Sequence, residues 1–327
     1  MRRRDLILTA GAWGALAGAR TWAQGPRMRR IGVILQNALE RSRPHLAEFR
    51  ARLAKLGWSE GTNLDMRIWS AGTRVDRFPQ LLQEAVARKV EVIVVSGTPG
   101  ARAAKDLSKG IPVVFAQLGD PVGSGLVTSL GRPGGHVTGT SIQFTEMAGK
   151  QIELLKALMP RLERAAELRS PAVGKLAVDV SARLASAAAS LGVDLMHLNA
   201  DEATDIEPAF AAAAHAQIQA MVIVPIALFI SEVKRIVQLA REHRIGTMFA
   251  SRELVAAGGL ISYGPDFVDS FARTAPYVDK ILRGAKPADL PVEQADRFEL
   301  VLNRKTAAQL GLTIPQSLLT RADGLIE

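Results

Sequence analysis

The chain has 327 residues, no cysteine, and 41 Lys+Arg against 32 Asp+Glu, a net charge of +9. That length accommodates two α/β lobes of ordinary size, and 48% hydrophobic with 22% charged residues is a globular composition. The missing cysteines exclude disulfides, thiolate catalysis, Cys-based zinc sites and a lipid-anchoring cysteine; the five histidines (His45, His136, His197, His215 and His243) show no paired metal-ligand spacing.

At the N-terminus, Arg2-Arg3-Arg4-Asp5-Leu6-Ile7 precedes an apolar, Ala/Gly-rich stretch from Leu8 to Ala19 that is too short and weakly apolar for a stable membrane span. Thr21-Trp22-Ala23 then offers small residues where a signal peptidase reads them, just ahead of Gln24. The arginine pair followed by Leu6-Ile7 fits the twin-arginine export pattern, with a general secretory signal or a basic N-terminal helix as alternatives. Residues 1–23 therefore read as a signal peptide. The mature chain is expected to begin near Gln24, to work in the periplasm and to have no stable membrane insertion. Cleavage removes four arginines and one aspartate, and the longest remaining basic run is Arg27-Met28-Arg29-Arg30. So dispersed a charge argues against a nucleic-acid partner.

Arg30 to Leu35 is a first strand, ending in the polar loop Gln36-Asn37. A helix follows over Pro44 to Leu56, with Leu46, Phe49, Leu53 and Leu56 at helical spacing and Gly57 at its close. Leu64 to Trp69 alternates as a strand, Arg77 to Lys89 repeats as a helix, and Val92 to Ser96 is a buried strand. That strand stops abruptly at Gly97-Thr98-Pro99-Gly100, where Ala101, Ala103 and Ala104 open another helix; Pro112 to Ala116 is the next strand. The β-α-β-α-β-α-β rhythm predicts a parallel sheet with helices on both faces and all strand C-termini along one edge. After Arg132-Pro133-Gly134-Gly135 the chain leads through Val137 to Ser141 into a helix over Met147 to Leu158, and the alternation restarts. Val193 to Leu198, Ala220 to Val224 and Gly246 to Ala250 read as strands, Ile206 to Ala216 and Val233 to His243 as helices. Two copies of one rhythm predict two similar lobes.

Four segments make this pattern specific: "SGTPGARAAK", "IPVVFAQLGDPVGSGLVTSLGRPGGHVTG", "ASRELVAAGGLISYG" and "KILRGAKPADLPVEQADRFELVLNRKTAAQLGLTIP". With the twin-arginine start they resemble the ABC-transporter substrate-binding proteins of the tryptophan/tyrosine uptake type, over essentially the whole mature chain. The resemblance implies a type I periplasmic-binding fold: two Rossmann-like lobes with parallel sheets, joined by three crossing strands, closing over a small-molecule ligand and docking on a membrane permease. It puts the first crossing near Thr138 to Ser141, the second near Leu260 to Gly264 and the third near Pro291 to Glu293. The lobes it implies are 28–139 plus 264–290 and 140–263 plus 291–327. Two departures from the family pattern fall on the second lobe's ligand-facing edge. Glu167 interrupts an otherwise apolar strand before Ser170-Pro171, where the family has Asn-Pro, and Ile226 follows Pro225 where the family has an aspartate.

The candidate ligand-binding residues lie at strand ends, where open α/β sheets bind ligands. In the first lobe they are Gln36, Asn37, Ser96, Gly97, Thr98, Gln117 and Asp120. Ser96 and Thr98 combine hydroxyls with free amides at a helix start, a fit for a carboxylate, against the plain reading of a helix cap. Asp120 before Pro121 is placed to accept an ammonium or to cap its own turn. Thr138 and Gly139 read as hinge and cleft floor. In the second lobe the candidates are Ser170, Pro225, Ser251, Glu253 and Tyr263. Glu253 is either an anchor for an amine or a surface partner of Arg252; Tyr263 either stacks on ligand or packs at the lobe junction.

No Gly-x-Ser-x-Gly, His-Glu-x-x-His, Gly-x-x-x-x-Gly-Lys or Gly-x-Gly-x-x-Gly motif occurs, so the expectation is a binder rather than an enzyme, with no cofactor and no metal. The expected ligand is an amino acid or related carboxylate delivered to an ABC permease. The alternatives are a ligand-sensing receptor component and an enzyme on the same fold.

Overall fold

The computed structural model describes residues 28–327 apart from Thr73, Gln143 and Gly174, so the signal peptide expected over 1–23 lies outside the described residues. The first lobe carries β1 (Arg29–Leu35), α1 (Leu39–Lys55), β2 (Leu64–Ser70), α2 (Phe78–Ala87), β3 (Val92–Ser96), α3 (Thr98–Leu107), β4 (Val113–Leu118) and β5 (Val137–Ser141). The second lobe carries α4 (Phe144–Leu158), β6 (Arg164–Arg169), α5 (Lys175–Ser190), β7 (Asp194–Asn199), α6 (Ile206–His215), β8 (Ala220–Ile223), α7 (Ala227–Ser231), α8 (Val233–Glu242), β9 (Gly246–Phe249), α9 (Arg252–Ala256) and β10 (Ile261–Pro265). The chain then returns to the first lobe with α10 (Phe267–Ala272), α11 (Ala275–Leu282) and β11 (Glu293–Gln294). It ends in the second with β12 (Phe298–Asn303), α12 (Arg304–Gln309), α13 (Gln316–Arg321) and β13 (Gly324–Ile326).

One sheet has the order β11-β5-β4-β3-β1-β2, with every neighbouring pair parallel. The other runs β13-β12-β10-β9-β8-β6-β7; β6 to β10 are mutually parallel, while β12 lies antiparallel to β10. Strands buried on both faces need apolar side chains on both, and β3 has them: Val92, Ile93, Val94 and Val95 are fully buried. Helices α1, α10 and α11 cover one face of the first sheet through Leu46, Phe49, Phe271 and Val278. Residues of α2 and α3, among them Leu82, Ala101 and Ala104, cover the other. The second sheet is enclosed likewise, by α4 and α5 on one face and α6 and α8 on the other.

The chain changes lobe three times: between Ser141 and Phe144, at Asp266, and over 295–297. Each crossing falls a few residues later than the resemblance implied, because β5, β10 and β11 stay paired in their sheets to Ser141, Pro265 and Gln294. The first two crossings leave from strand C-termini. The third enters β12 at Phe298, which lies beside Pro265, the C-terminal residue of β10. The C-terminal edges of both sheets therefore face each other, and the gap between them is the interlobe cleft.

Two sequence features behave differently from their first reading. Gly139 adopts φ 151°, and a Cβ on it would lie 1.9 Å from the Phe115 carbonyl oxygen. It sits opposite a bulge where the β4–β5 register jumps from Phe115–Gly139 to Leu118–Ser141. Thr138 is fully buried, its hydroxyl donating to the Leu290 carbonyl at 2.7 Å. Both residues therefore belong to the sheet interior and not to the cleft floor. Glu167, for its part, does not break β6. It is fully buried, accepts from the Ser181 hydroxyl at 2.8 Å and pairs with His197 Nδ1 at 2.7 Å across the β6–β7 ladder.

Replacing Gly139 by alanine forces a backbone clash at an unfavourable φ, and a loss of at least about 2 kcal/mol of stability is expected. Urea unfolding of the variant against the parent measures it.

Candidate functional site

Strand order reverses between β1 and β3 in the first lobe and between β6 and β8 in the second. Crevices at such switch points, outside the strand C-termini, are where doubly wound sheets hold ligands. At the first-lobe switch point the Gln36 backbone N–H donates to Ser96 Oγ at 2.9 Å, and Ser96 is only 8% exposed. The Ser96 oxygen thus ties the β1 loop to the β3 end and does not cap α3. Gly97 takes φ 79° and donates its N–H to the Ala116 carbonyl at 3.2 Å. A Cβ at Gly97 would lie 1.7 Å from Gln36 Oε1, so the Gln36 side chain lies across bare backbone.

Helix α3 starts at Thr98 with Gly97 in the cap position and no side-chain cap. Pro99 has no N–H, so the first-turn donors without a partner among the described residues are the amides of Thr98 and Gly100, at the positive end of the helix dipole. Gly100 is buried there because a Cβ would press on Phe78 and Val95 at 2.6 and 2.7 Å. Small residues at this junction let the helix start seat close to the strand end. Half-buried Asn37, whose carbonyl accepts from Ser70 Oγ at 2.8 Å, completes this rim.

Two further first-lobe candidates have structural partners. Gln117 adopts φ 62° in the bulge and donates through Nε2 to the Phe267 carbonyl at 2.5 Å, fastening β4 to the start of α10. Asp120 Oδ1 accepts from the Gly123 N–H at 2.7 Å, which makes it the cap of its own turn.

On the second lobe, buried Ser170 donates to Asp201 Oδ1 at 2.5 Å and closes the loop after β6. Pro225 and Ile226 form a half-buried turn between β8 and α7. Ser251 occupies the cap position of α9 with no side-chain cap bond. Glu253 is exposed in the first turn of α9, and its neighbour Arg252 pairs instead with Glu299 at 3.7 Å. Tyr263 stacks on Phe298 with ring centroids 5.7 Å apart, and its carbonyl accepts from Gln151 Nε2 at 2.9 Å. It packs at the lobe junction.

A contact across the cleft, and others beside it, come from residues the sequence did not single out. Arg41 on α1 donates to the Ser231 carbonyl at 3.3 Å, joining the first lobe to the C-terminal end of α7. One turn further along α1, His45 meets Phe271 edge-on at 5.9 Å, and its Nδ1 is buried without a partner among the described residues. Burial lowers the His45 pKa from its ordinary value, against the opposing fields of Glu253 in the second lobe and Asp266 at the crossing. Beside the crossings, Arg273 binds Asp269 at 2.8 Å, Glu293 at 2.5 Å and Asp296 at 3.2 Å, and hydrogen bonds to the first two raise its pKa. Periodicity does not reveal these residues, because Arg41 and His45 are polar on an otherwise ordinary helix and Arg273 caps the end of another. Among the described residues no three His, Asp or Glu side chains are grouped to hold a metal ion, and no helix is long and apolar enough to cross a membrane.

With this geometry established, comparison with known proteins identifies the family. The chain belongs to the ABC transporter substrate-binding proteins, whose family profile it matches over residues 26–326. It is 25% identical over 266 residues, covering 81% of this chain and 75% of the relative, to the tyrosine-binding protein of Clostridioides difficile strain R20291. Among solved structures, a conserved domain protein of Vibrio cholerae superposes with a TM-score of 0.84 at 28% identity, covering 91% of this chain and all (100%) of that one. The ABC domain of Streptococcus pneumonia, solved in complex with L-Trp, superposes with a TM-score of 0.83 at 25% identity and the same coverage, 91% and 100%. More distant solute-binding proteins share the architecture, which is the type I periplasmic-binding fold.

Because the Ser96 oxygen holds the Gln36 loop, Ser96→Ala is expected to cost about 1 kcal/mol of stability. Thr98→Ala, with no such bond to lose, is expected to stay within about 0.5 kcal/mol of the parent. Parallel urea titrations separate the two.

Proposed function

We propose that the chain is the extracytoplasmic receptor of an ABC importer. It captures a small carboxylate, an amino acid or a related acid, in the interlobe cleft, and its closed form delivers that ligand to the membrane permease. The observation that carries this reading is the uncapped start of α3 at the first-lobe switch point, with the Thr98 and Gly100 amides lacking a partner among the described residues and Gln36 lying over Gly97. A carboxylate there meets two N–H donors and the helix dipole, and closure of the second lobe screens it from water. The tyrosine-binding relative and the L-Trp complex support an amino acid as ligand. Glu253, exposed at the opposite edge with no cation within ion-pair distance among the described residues, is placed to meet an ammonium. Binding without turnover accords with a family and neighbours that are solute-binding proteins.

The arginine pair and the Thr21-Trp22-Ala23 site support export to the periplasm with cleavage near Ala23. Mass spectrometry of the mature protein is expected to find an N-terminus near Gln24; a product retaining Met1 overturns the periplasmic placement. In a melting-temperature screen of amino acids and small carboxylates, a binder present at 100 times its Kd adds about 2.7 kcal/mol of stability. Chemical turnover of the binder contradicts the receptor reading.

A further inference from the structure

Away from the crossings, the lobes are joined among the described residues by the exposed Arg41 guanidinium, which donates to the Ser231 carbonyl at 3.3 Å. Ser231 is the last residue of α7, and no backbone N–H among the described residues donates to its carbonyl. A carbonyl left over at a helix end is a natural acceptor for a cation. Arg41 stands on the segment that leads from Gln36 and Asn37 at the first-lobe switch point, and Ser231 on the one that leads from Pro225 and Ile226 at the second. The bond therefore ties together the loops that border the cleft from either side. It is also remote from the crossings, since β1 is the third strand from β5 and β8 the second from β10. At about 4.8 Å per strand that is a lever of about 10–14 Å. A rotation about the crossings that opens the cleft parts Arg41 from Ser231 without disturbing either sheet.

The turn of α1 that carries Arg41 is held against the preference of its sequence. Pro44 has no N–H to give the Glu40 carbonyl, and its ring crowds that group, so a helix start at Pro44 itself costs less. Yet α1 begins at Leu39, and Ser42 fastens the added turn, its N–H and its Oγ both donating to the Ala38 carbonyl at 3.2 and 3.1 Å. Ser42 is buried beneath that turn, while Arg41 on its outer side is exposed. The added turn is what fixes the Arg41 backbone within reach of α7.

We infer that Arg41 is an interlobe latch, whose bond to the Ser231 carbonyl forms only when the lobes close and shifts the chain toward the closed form. This rests on the reading of the cleft as a site that closes over ligand, and deepens it by naming a residue that sets the balance between open and closed. In the open form water serves both groups, so the latch contributes the modest difference of an exposed, charge-assisted bond, and less at high salt. It multiplies the closed-to-open ratio by the same factor with and without ligand, because it touches neither the α3 start nor the ligand.

The chain has no cysteine, so spin labels on Val75→Cys and Ala203→Cys report one distance. Both positions are exposed, beyond the C-terminal ends of the edge strands β2 and β7, on the side of each sheet away from the crossings. Pulsed dipolar spectroscopy measures the ratio of short to long distances on the purified mature chain, alone and with an equimolar pool of the standard L-amino acids. Arg41→Ala is expected to lower that ratio about three- to fivefold in both conditions, the size of an exposed charge-assisted bond. Arg41→Lys is expected to lower it less, and Arg41→Glu more, since a carboxylate repels the carbonyl. Ser231→Ala, which keeps the carbonyl, is expected to match the parent. Added salt is expected to lower the parent's ratio and leave that of Arg41→Ala unchanged. Equal ratios in the parent and Arg41→Ala overturn the latch, and so does a ratio that falls only together with the urea midpoint, which makes Arg41 structural. A parent whose ratio the pool does not raise contradicts the amino-acid receptor reading, while the Arg41 comparison still decides the latch. Long distances alone in both conditions overturn both.

Discussion

Three backbone crossings constrain everything else in this molecule. A parallel sheet built from βα units ends all its strands on one edge, and the uncapped helix starts gather there too. Because the chain leaves β5 and β10 at their C-termini and enters β12 beside Pro265, the two such edges are held face to face. The site is therefore assembled by topology before any side chain is chosen. The bulge opposite Gly139 serves the same end: it turns the last residues of β4, places Gln117 against Phe267, and so links the first-lobe sheet to the second crossing.

The ion pairs cluster where this constraint is greatest. Arg273, at the C-terminal cap of the helix that follows the second crossing, binds Glu293 and Asp296, which flank the start of the third, and shares Asp269 with Arg52 on α1. Isolated surface pairs contribute little, but one guanidinium bridging three carboxylates fixes a geometry that separate pairs do not. Tyr277 adds a neutral tie, donating to the Pro291 carbonyl at 2.7 Å; burial first, and the nearby Glu293 charge second, push its pKa up to about 12, so it keeps that proton at any physiological pH. The crossings thus pivot on an ordered frame and not on slack chain.

Most of the parallel-sheet architecture was legible in the residues, because strands buried on both faces must be continuously apolar. Val92 to Val95 and Ala220 to Ile223 announce themselves that way. Less legible were β12 and β13: β12 is buried and apolar only from Leu300 to Leu302, behind the polar run that ends at Glu299, and β13 is a three-residue strand at the sheet's edge. Helix α1 begins at Leu39, before Pro44, a start that the proline had concealed. At the site, position was legible and role was not. Ser96, Gln117, Asp120 and Ser170 all stand at strand ends, yet each has a bonding partner from a loop or helix distant in the chain or from its own turn. A hydroxyl or amide that reads as available for ligand is, in a folded chain, first claimed by whatever backbone group lies nearest. Arg41 was missed for the converse reason, since only the approach of the second lobe gives it the Ser231 carbonyl, while His45 packs on Phe271 of its own lobe.

The two lobes repeat one topology but meet the cleft with different chemistry. At its switch point the first lobe offers backbone: the amides of Thr98 and Gly100, with Gly97 bare so that Gln36 can lie across it. Backbone donors are rigid and indifferent to side-chain substitution, which suits a group every ligand of a class shares. The second lobe's strand ends carry polar side chains with partners of their own, Ser170 held by Asp201 and Arg169 by Ser181 and Asn199, while Glu253 stands exposed in the first turn of α9. Side chains are what evolution can exchange without rebuilding the fold, and the departures from the family pattern, Glu167 and Ile226, fall on this lobe. On the proposed receptor reading, specificity falls to the lobe whose side chains are cheapest to vary, and capture of the common group to backbone that cannot move without unmaking the sheet.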